Sequence, residues 1–183
     1  GACVTFCKWQ PLGKSSPHIN HAIKNQARWR PTDEIDINQS EEKWMNPIRL
    51  GSKWVIITDD FVGSGNTLSK MFSEKDSPIV KLLNKYPEIN VRVLVIAGFE
   101  DGLTKVKSGI RKMSDRIKLH VYRIYKDRDK CFHSESRIIS DANKRERFRE
   151  YSLNVAKEHF PKLPNHMRLG WQNAGAIVVF YDT

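Results

Sequence analysis

Short apolar runs alternate along this chain with longer stretches in which apolar residues recur at helical spacing. Runs over residues 4–9, 54–58, 91–99, 117–125 and 176–181 read as strands. The run 54–58 is continuous, Trp-Val-Ile-Ile-Thr, as expected of a strand buried on both faces of a parallel sheet, whereas 117–125 alternates apolar with polar residues. Helices are expected at about 18–28, over 66–72, after Ser77-Pro78 where Ile79, Val80, Leu82 and Leu83 form an apolar face, from an Asp101 N-cap to about 113, and over 140–160. In the last of these, Phe148, Tyr151, Val155 and Phe160 are expected to face the body. Residues 10–17 read as a loop from their Pro, Gly and Ser content. Residues 29–50, polar and aperiodic with Pro31, Asp33, Glu34, Asp36, Glu41 and Glu42, read as a long loop or flap. Strands alternating with helices predict an α/β fold: an open, mainly parallel sheet flanked by helices and joined by right-handed crossovers.

At 183 residues the chain has the size of one domain, expected to span 1–183 and to build a core without disulfides. It stops at Thr183 directly after an apolar run, which predicts a piece of a longer chain. A formal charge of +10 and a pI near 9.6 predict attraction to polyanions without saying which. Neither an apolar run long enough to span a membrane nor a basic-then-apolar N-terminus is visible, so a cytoplasmic location is expected. Three cysteines, Cys3, Cys7 and Cys131, lack zinc-type spacing and read as free thiols. Cys131 and His133 form a C-x-H pair able to touch a metal, but no second pair completes a tetrahedron.

The run 54–58 passes straight into Asp59-Asp60-Phe61-Val62-Gly63-Ser64-Gly65-Asn66-Thr67-Leu68. In an open α/β sheet, ligands sit in the crevice beyond the strands' carboxyl ends, so Asp59 and Asp60 are expected at the mouth of one. Gly63 and Gly65 permit a tight turn whose successive N–H groups point at one place just before a helix begins. A phosphate fits there, held by backbone N–H groups over Gly63, Ser64, Gly65, Asn66 and Thr67, by the Ser64 and Thr67 hydroxyls, and by the positive end of the helix dipole. Two carboxylates would repel that phosphate unless they serve another part of the ligand. They accept hydrogen bonds from vicinal ribose hydroxyls, can hold a hydrated Mg²⁺ ion, and stabilise positive charge on a ribose ring as its C1 substituent leaves. An ordinary strand, turn and N-cap is the competing reading. The coincidence of adjacent acids, two glycines, two hydroxyls and a preceding apolar run favours the phosphoribosyl site.

The segment resembles the phosphoribosyl diphosphate signature of the type I phosphoribosyltransferases: an apolar strand, two acids, two apolar residues, then a small or hydroxyl-bearing loop ending in Gly-x-Thr. The resemblance implies an open parallel sheet, Mg²⁺ as cofactor, Asp59 and Asp60 as catalytic carboxylates with indirect contact to the ion, and a 5-phosphate loop at residues 63–67. In that family an earlier strand ends in a loop for the pyrophosphate leaving group. Its counterpart here is Gly13-Lys14-Ser15-Ser16, for which a surface turn is an equal alternative. Together with Leu169-Gly170-Trp171-x-Asn173, the signature is also similar to the phosphoribosyltransferase-like domain of bacterial conflict systems. Such domains occur in antiphage loci, some beside reverse transcriptases, which implies a defence effector and not a salvage enzyme. Relatives of that kind run on past the last strand with an Asn/Thr/Pro-rich tail, whereas this chain ends at Asp182-Thr183. Trp171 and Asn173 are candidates to stack on and hydrogen-bond a base, although a tryptophan before a strand is more often core.

Two functions follow. One is a Mg²⁺-assisted phosphoribosyltransferase-type enzyme taking phosphoribosyl diphosphate or a nucleotide, with Lys14 meeting pyrophosphate and a base, a nucleotide or water as acceptor. The other is a catalytically silent nucleotide-sensing module that contacts nucleic acid or a defence-system partner protein through its basic surface. Lys105, Lys107, Arg111 and Lys112 on one expected helix, Arg116, Lys118, Arg123, Lys126, Arg128 and Lys130 after it, and Lys144, Arg145, Arg147 and Arg149 on another support the second, with a solvated surface as the plain alternative. Nothing in their spacing separates His133, Glu135 and Arg137 from an ordinary loop.

Overall fold

The structure, a computed structural model, describes residues 3–9, 15–27, 34–37, 39, 51–170 and 175. Its elements run β1 (Cys3–Lys8), α1 (Ser15–Ala27), β2 (Glu34–Asp36), β3 (Ser52–Val62), α2 (Asn66–Ser73), α3 (Pro78–Lys85), β4 (Asn90–Phe99), α4 (Glu100–Met113), β5 (Ile117–Tyr125) and α5 (Ala142–His159). Five strands form one open, all-parallel sheet in the order β2-β1-β3-β4-β5. The α/β fold is therefore the one the alternation of runs predicts.

The strand order reverses direction between β1 and β3. From β1 the chain moves outward to β2, then returns to the other side of β1 for β3 and continues to β4 and β5. Open α/β sheets bind ligands at such a reversal, beyond the strands' carboxyl ends. The ladder between β1 and β3 ends with Cys7 opposite Ile57, whereas that between β3 and β4 continues to Val62 opposite Gly98. Residues 58–62 thus outrun β1 on its side, at the reversal.

Contact density separates two compact units: Gly1–Gly98 with Gly102–Arg123, and Phe99–Asp101 with Ile124–Thr183. The first holds the main core. Val55 and Ile57 of β3 and Val91, Val93 and Val95 of β4 pack with Leu68 and Phe72 of α2, Ile79, Leu82 and Leu83 of α3, and Leu103, Val106 and Ile110 of α4. The Arg116 guanidinium closes the end of α3, donating to the carbonyl of Leu83 (2.8 Å) in its last turn and to those of Tyr86 (3.1 Å), Pro87 (2.8 Å) and Ile89 (3.1 Å) in the segment leading to β4. In the second unit Phe99, Cys131, Ser136, Ala156 and Leu169 are buried.

Four local expectations are corrected. The helix expected from about 18 begins at Ser15, and β2 lies inside the stretch read as a long loop, because Ile35 pairs opposite Cys7 and is buried there. Asp101 is not an N-cap: α4 starts at Glu100 immediately after β4, leaving Asp101 in its first turn. α5 is capped by Asp141, whose Oδ1 accepts the Lys144 N–H at 2.8 Å. Its packed side is not the aromatic one, since Phe148, Tyr151 and Phe160 are 44%, 65% and 61% exposed while Ala156 is buried. The strand expected over 176–181 lies outside the described residues.

Candidate functional site

β3 is longer than its apolar run. It continues through the two acids to Val62, so Asp59 and Asp60 are strand residues and not the first residues of a loop. Successive strand positions face opposite sides of a sheet, which separates the two side chains. Asp59 is only 6% exposed, and its Oδ1 accepts the Asp60 N–H at 3.0 Å. Asp60 is half-buried, and its Oδ1 accepts the Phe61 N–H at 2.8 Å.

The turn that follows is built backbone against backbone. Gly65 has φ +70°, and a Cβ there would lie 2.2 Å from the Gly102 carbonyl oxygen. A Cβ on Gly102 would in turn lie 2.0 Å from the Gly63 carbonyl oxygen. Gly65 and Gly102 are therefore required, one by a left-handed backbone and both by close approach. Gly63 differs. The nearest atom to its hypothetical Cβ is 3.9 Å away on Phe61, so crowding does not demand glycine there.

α2 begins at Asn66, with Gly65 as its cap and the Ser69 N–H bonded to the Gly65 carbonyl at 2.9 Å. No side-chain oxygen caps the helix by hydrogen bond and no acid occupies its first turn, a composition compatible with an anion at that end. The Asn66 N–H reaches the Ser64 Oγ at 3.4 Å. Lys105 of α4 donates its ammonium to the Asn66 side-chain oxygen. Thr67 is exposed on the first turn.

A buried polar network that sequence reasoning missed supports β3 from the β1 side. Where β3 outruns β1, the Thr58 carbonyl accepts the Trp9 indole N–H at 2.8 Å. The Thr58 hydroxyl donates to Asn20 Oδ1 at 2.7 Å, and Asn20 Nδ2 donates to the Cys7 carbonyl at 3.3 Å and to Glu34 Oε1 at 3.4 Å. Glu34 also pairs with Lys8 at 2.9 Å. Asn20 and Thr58 are fully buried, so each of these bonds removes a desolvation cost. Cys7 lies among them with its thiol pushed far up by burial and by the nearby Asp36 and Glu34 charges, which leaves it un-ionised and unreactive.

Carboxylate oxygens are donors that suit Mg²⁺. Among the described residues no group of three or more His, Cys, Asp or Glu side chains converges on a metal position; the half-buried Asp60 is the accessible carboxylate at this strand end, and a single carboxylate is compatible with an ion otherwise carried by water and ligand phosphate. An apolar cleft of about 330 Å³ in the first unit is lined by Ile19 and Ile23 of α1 and by Leu94, Ile96, His120 and Tyr122 of the sheet, and none of the acid or glycine-loop residues lines it.

The other expected residues fall elsewhere. Gly13 and Lys14 lie outside the described residues, as do Trp171 and Asn173, while Ser15 and Ser16 form the first turn of α1 and not a loop. In the second unit, Lys130 donates to Asp127 at 2.7 Å and to Asp101 at 3.4 Å and lies 4.7 Å from the Phe99 ring centroid. His133 stands 4.0 Å from Asp127, and Arg137 pairs with Asp129. The Asp127 carboxyl is held below the ordinary aspartate range by its hydrogen bond from Lys130. Burial opposes the Lys130 charge, but the bond to Asp127 and the charges of Asp101 and Asp127 outweigh it and raise its pKa. Cys131 is a buried free thiol whose pKa burial raises.

Among the described residues no helix is long and apolar enough to cross a membrane. A family model described as PRTase-CE matches residues 2–183 of the chain. No curated protein matches it, and no solved structure does.

Proposed function

The chain belongs to the PRTase-CE family, the phosphoribosyltransferases of conflict systems, and from that premise we propose that it is a phosphoribosyltransferase-type enzyme acting as an antiphage defence effector. One observation carries the reading. Two carboxylates occupy the part of β3 that outruns β1 at the sheet's reversal, and three residues after the end of that strand a positive-φ glycine opens a helix.

In this reading the backbone of Gly63, Ser64, Gly65, Asn66 and Thr67, with the Ser64 and Thr67 hydroxyls, binds the 5-phosphate of phosphoribosyl diphosphate or a nucleotide. Asp60, half-buried, hydrogen-bonds the ribose hydroxyls. Asp59, next to it in the strand but facing the other side of the sheet, adds negative potential from a nearly dry position, where charge acts more strongly than in water. As the bond from C1 to pyrophosphate breaks and the acceptor's bond forms, positive charge spreads over C1 and the ring oxygen, and the two carboxylates stabilise it. Asp60 would hold a hydrated Mg²⁺ ion through water, with the Asp59 charge acting on it at longer range, and the ion would neutralise charge on the departing pyrophosphate. Gly13, Lys14, Ser15 and Ser16 are proposed to meet that leaving group.

Incubation with phosphoribosyl diphosphate, Mg²⁺ and a panel of bases and nucleotides, followed by chromatography, tests this. Pyrophosphate release by the wild type, with Asp60→Asn losing turnover far more than ligand affinity, is the expected result, because the charge matters most at the transition state. Turnover that persists in both Asp59→Asn and Asp60→Asn would remove these acids from the mechanism. A second reading is favoured by α5, which exposes Phe148 and Tyr151 on the helix that carries Lys144 and Arg147, a mixture suited to stacking on and neutralising a nucleic acid. Nucleotide binding without turnover, coupled to salt-sensitive binding of single-stranded nucleic acid, is the result that selects this sensing role.

A further inference from the structure

We propose that Lys105 is the cation of the phosphate subsite and the residue that makes it select 5-phosphorylated over unphosphorylated pentose ligands, an inference that rests on reading residues 63–67 as the phosphate loop. The geometry begins with Gly102. Its backbone is seated against Gly63 and Gly65 so closely that a Cβ on either Gly102 or Gly65 would overlap a carbonyl oxygen, which fixes the start of α4 on the loop. Lys105 follows Gly102 by three residues, so it lies on the same side of α4, one turn along. Its ammonium donates to Asn66, the first residue of α2.

Lys105 differs from the cations held in ion pairs, and its bond to Asn66 places it at the loop. Lys130 is held by two carboxylates and Lys8 by one, so their charge is locally balanced. Lys105 makes no ion pair among the described residues, and its hydrogen-bond partner is a neutral amide. Asn66 therefore holds the ammonium in place without cancelling it. A carboxylate at position 66 would hold lysine more strongly but would repel an anion, and no acid stands anywhere in the first turn of α2. Backbone N–H groups supply direction to a phosphate, whereas a lysine at hydrogen-bonding range supplies a full charge and distinguishes a dianion from a hydroxyl.

The test is calorimetric titration of the protein with ribose 5-phosphate and with ribose, using wild type, Lys105→Ala, Lys105→Arg and Lys107→Ala. Lys107 is an exposed neighbour on α4, so its removal costs the same net charge away from the loop. Lys105→Ala is expected to weaken ribose 5-phosphate binding roughly tenfold or more, Lys105→Arg to recover part of it, and Lys107→Ala to change it by less than about twofold. Wild-type affinity should also fall below about pH 6, as the phosphate takes up its second proton, and Lys105→Ala should flatten that profile while leaving the melting temperature unchanged. Equal affinity in wild type and Lys105→Ala, or an equal loss in Lys107→Ala, overturns the assignment while the loop reading stands. If wild type does not discriminate ribose 5-phosphate from ribose, the loop reading fails and takes this inference with it.

Discussion

Asp59 and Asp60 are adjacent in the chain and unequal in the fold. The sequence shows two acids at the end of an apolar run, but it does not show that the strand continues through them, and continuation places them on opposite sides of the sheet. Asp59 is nearly dry and ties down the Asp60 N–H, whereas Asp60 is half-buried. Asp59→Ala should therefore lower unfolding free energy by about 1–3 kcal/mol through a buried donor left without its partner. Asp60→Ala should cost less, and urea denaturation of both variants measures the difference. A larger loss at Asp60 would reverse this division of roles. Asn20 was not legible at all: a lone asparagine in a polar helical stretch has no pattern, and its bonds to Thr58, Cys7 and Glu34 exist because three distant segments converge on it.

At the scale of elements, what the sequence conveyed best was wherever hydrophobic residues decide the outcome. The central strands and α2 to α4 follow their apolar periodicity because that face is their core contact. α5 broke the rule. Its aromatic residues have helical spacing, yet its buried residue is the small Ala156, while Tyr151 and Phe160 are exposed and Phe148, in contact with the Phe132 ring, stays 44% exposed. β2 was hidden because three residues are too short for a period to register. The contact between α4 and the loop was hidden for a related reason, as a glycine in a helix reads as a weak helix former and its purpose depends on a carbonyl thirty-odd residues earlier. Gly102→Ala separates the two meanings. Helix propensity alone favours alanine by about 1 kcal/mol, whereas a Cβ at 2.0 Å from the Gly63 oxygen forces α4 and the loop apart at a cost of about 1–3 kcal/mol. The steric term is larger, so the denaturation midpoint and ribose 5-phosphate affinity should both fall. A raised midpoint would show that the approach is slack.

For the molecule as a whole, a charge of +10 predicted an attraction to polyanions but not which cations are committed internally. Lys130 and Arg137, read from sequence as part of a basic run or as loose loop groups, are held by Asp101, Asp127 and Asp129. This ion-pair cluster ties stability to pH at both ends. Asp127 has its pKa depressed in the fold by the Lys130 hydrogen bond, so its contribution is present above the ordinary aspartate pKa and is lost as pH falls through the folded value, below about pH 4. Lys130, buried against its own charge but raised overall by Asp127 and Asp101, contributes below its ordinary pKa of 10.5 and loses that contribution as pH rises through the higher folded value. Exposure of Asp127 keeps the effect small and salt-sensitive. Lys130→Met, which preserves contact with the Phe99 ring but removes the charge, should melt below wild type near neutral pH in low salt. The gap should narrow below about pH 4 and again at alkaline pH beyond the ordinary lysine value of 10.5, and should shrink in molar salt. Thermal unfolding followed by circular dichroism across that range decides the matter: a gap constant in both pH and salt would mean that Lys130 stabilises the fold by packing on Phe99 and not by its charge.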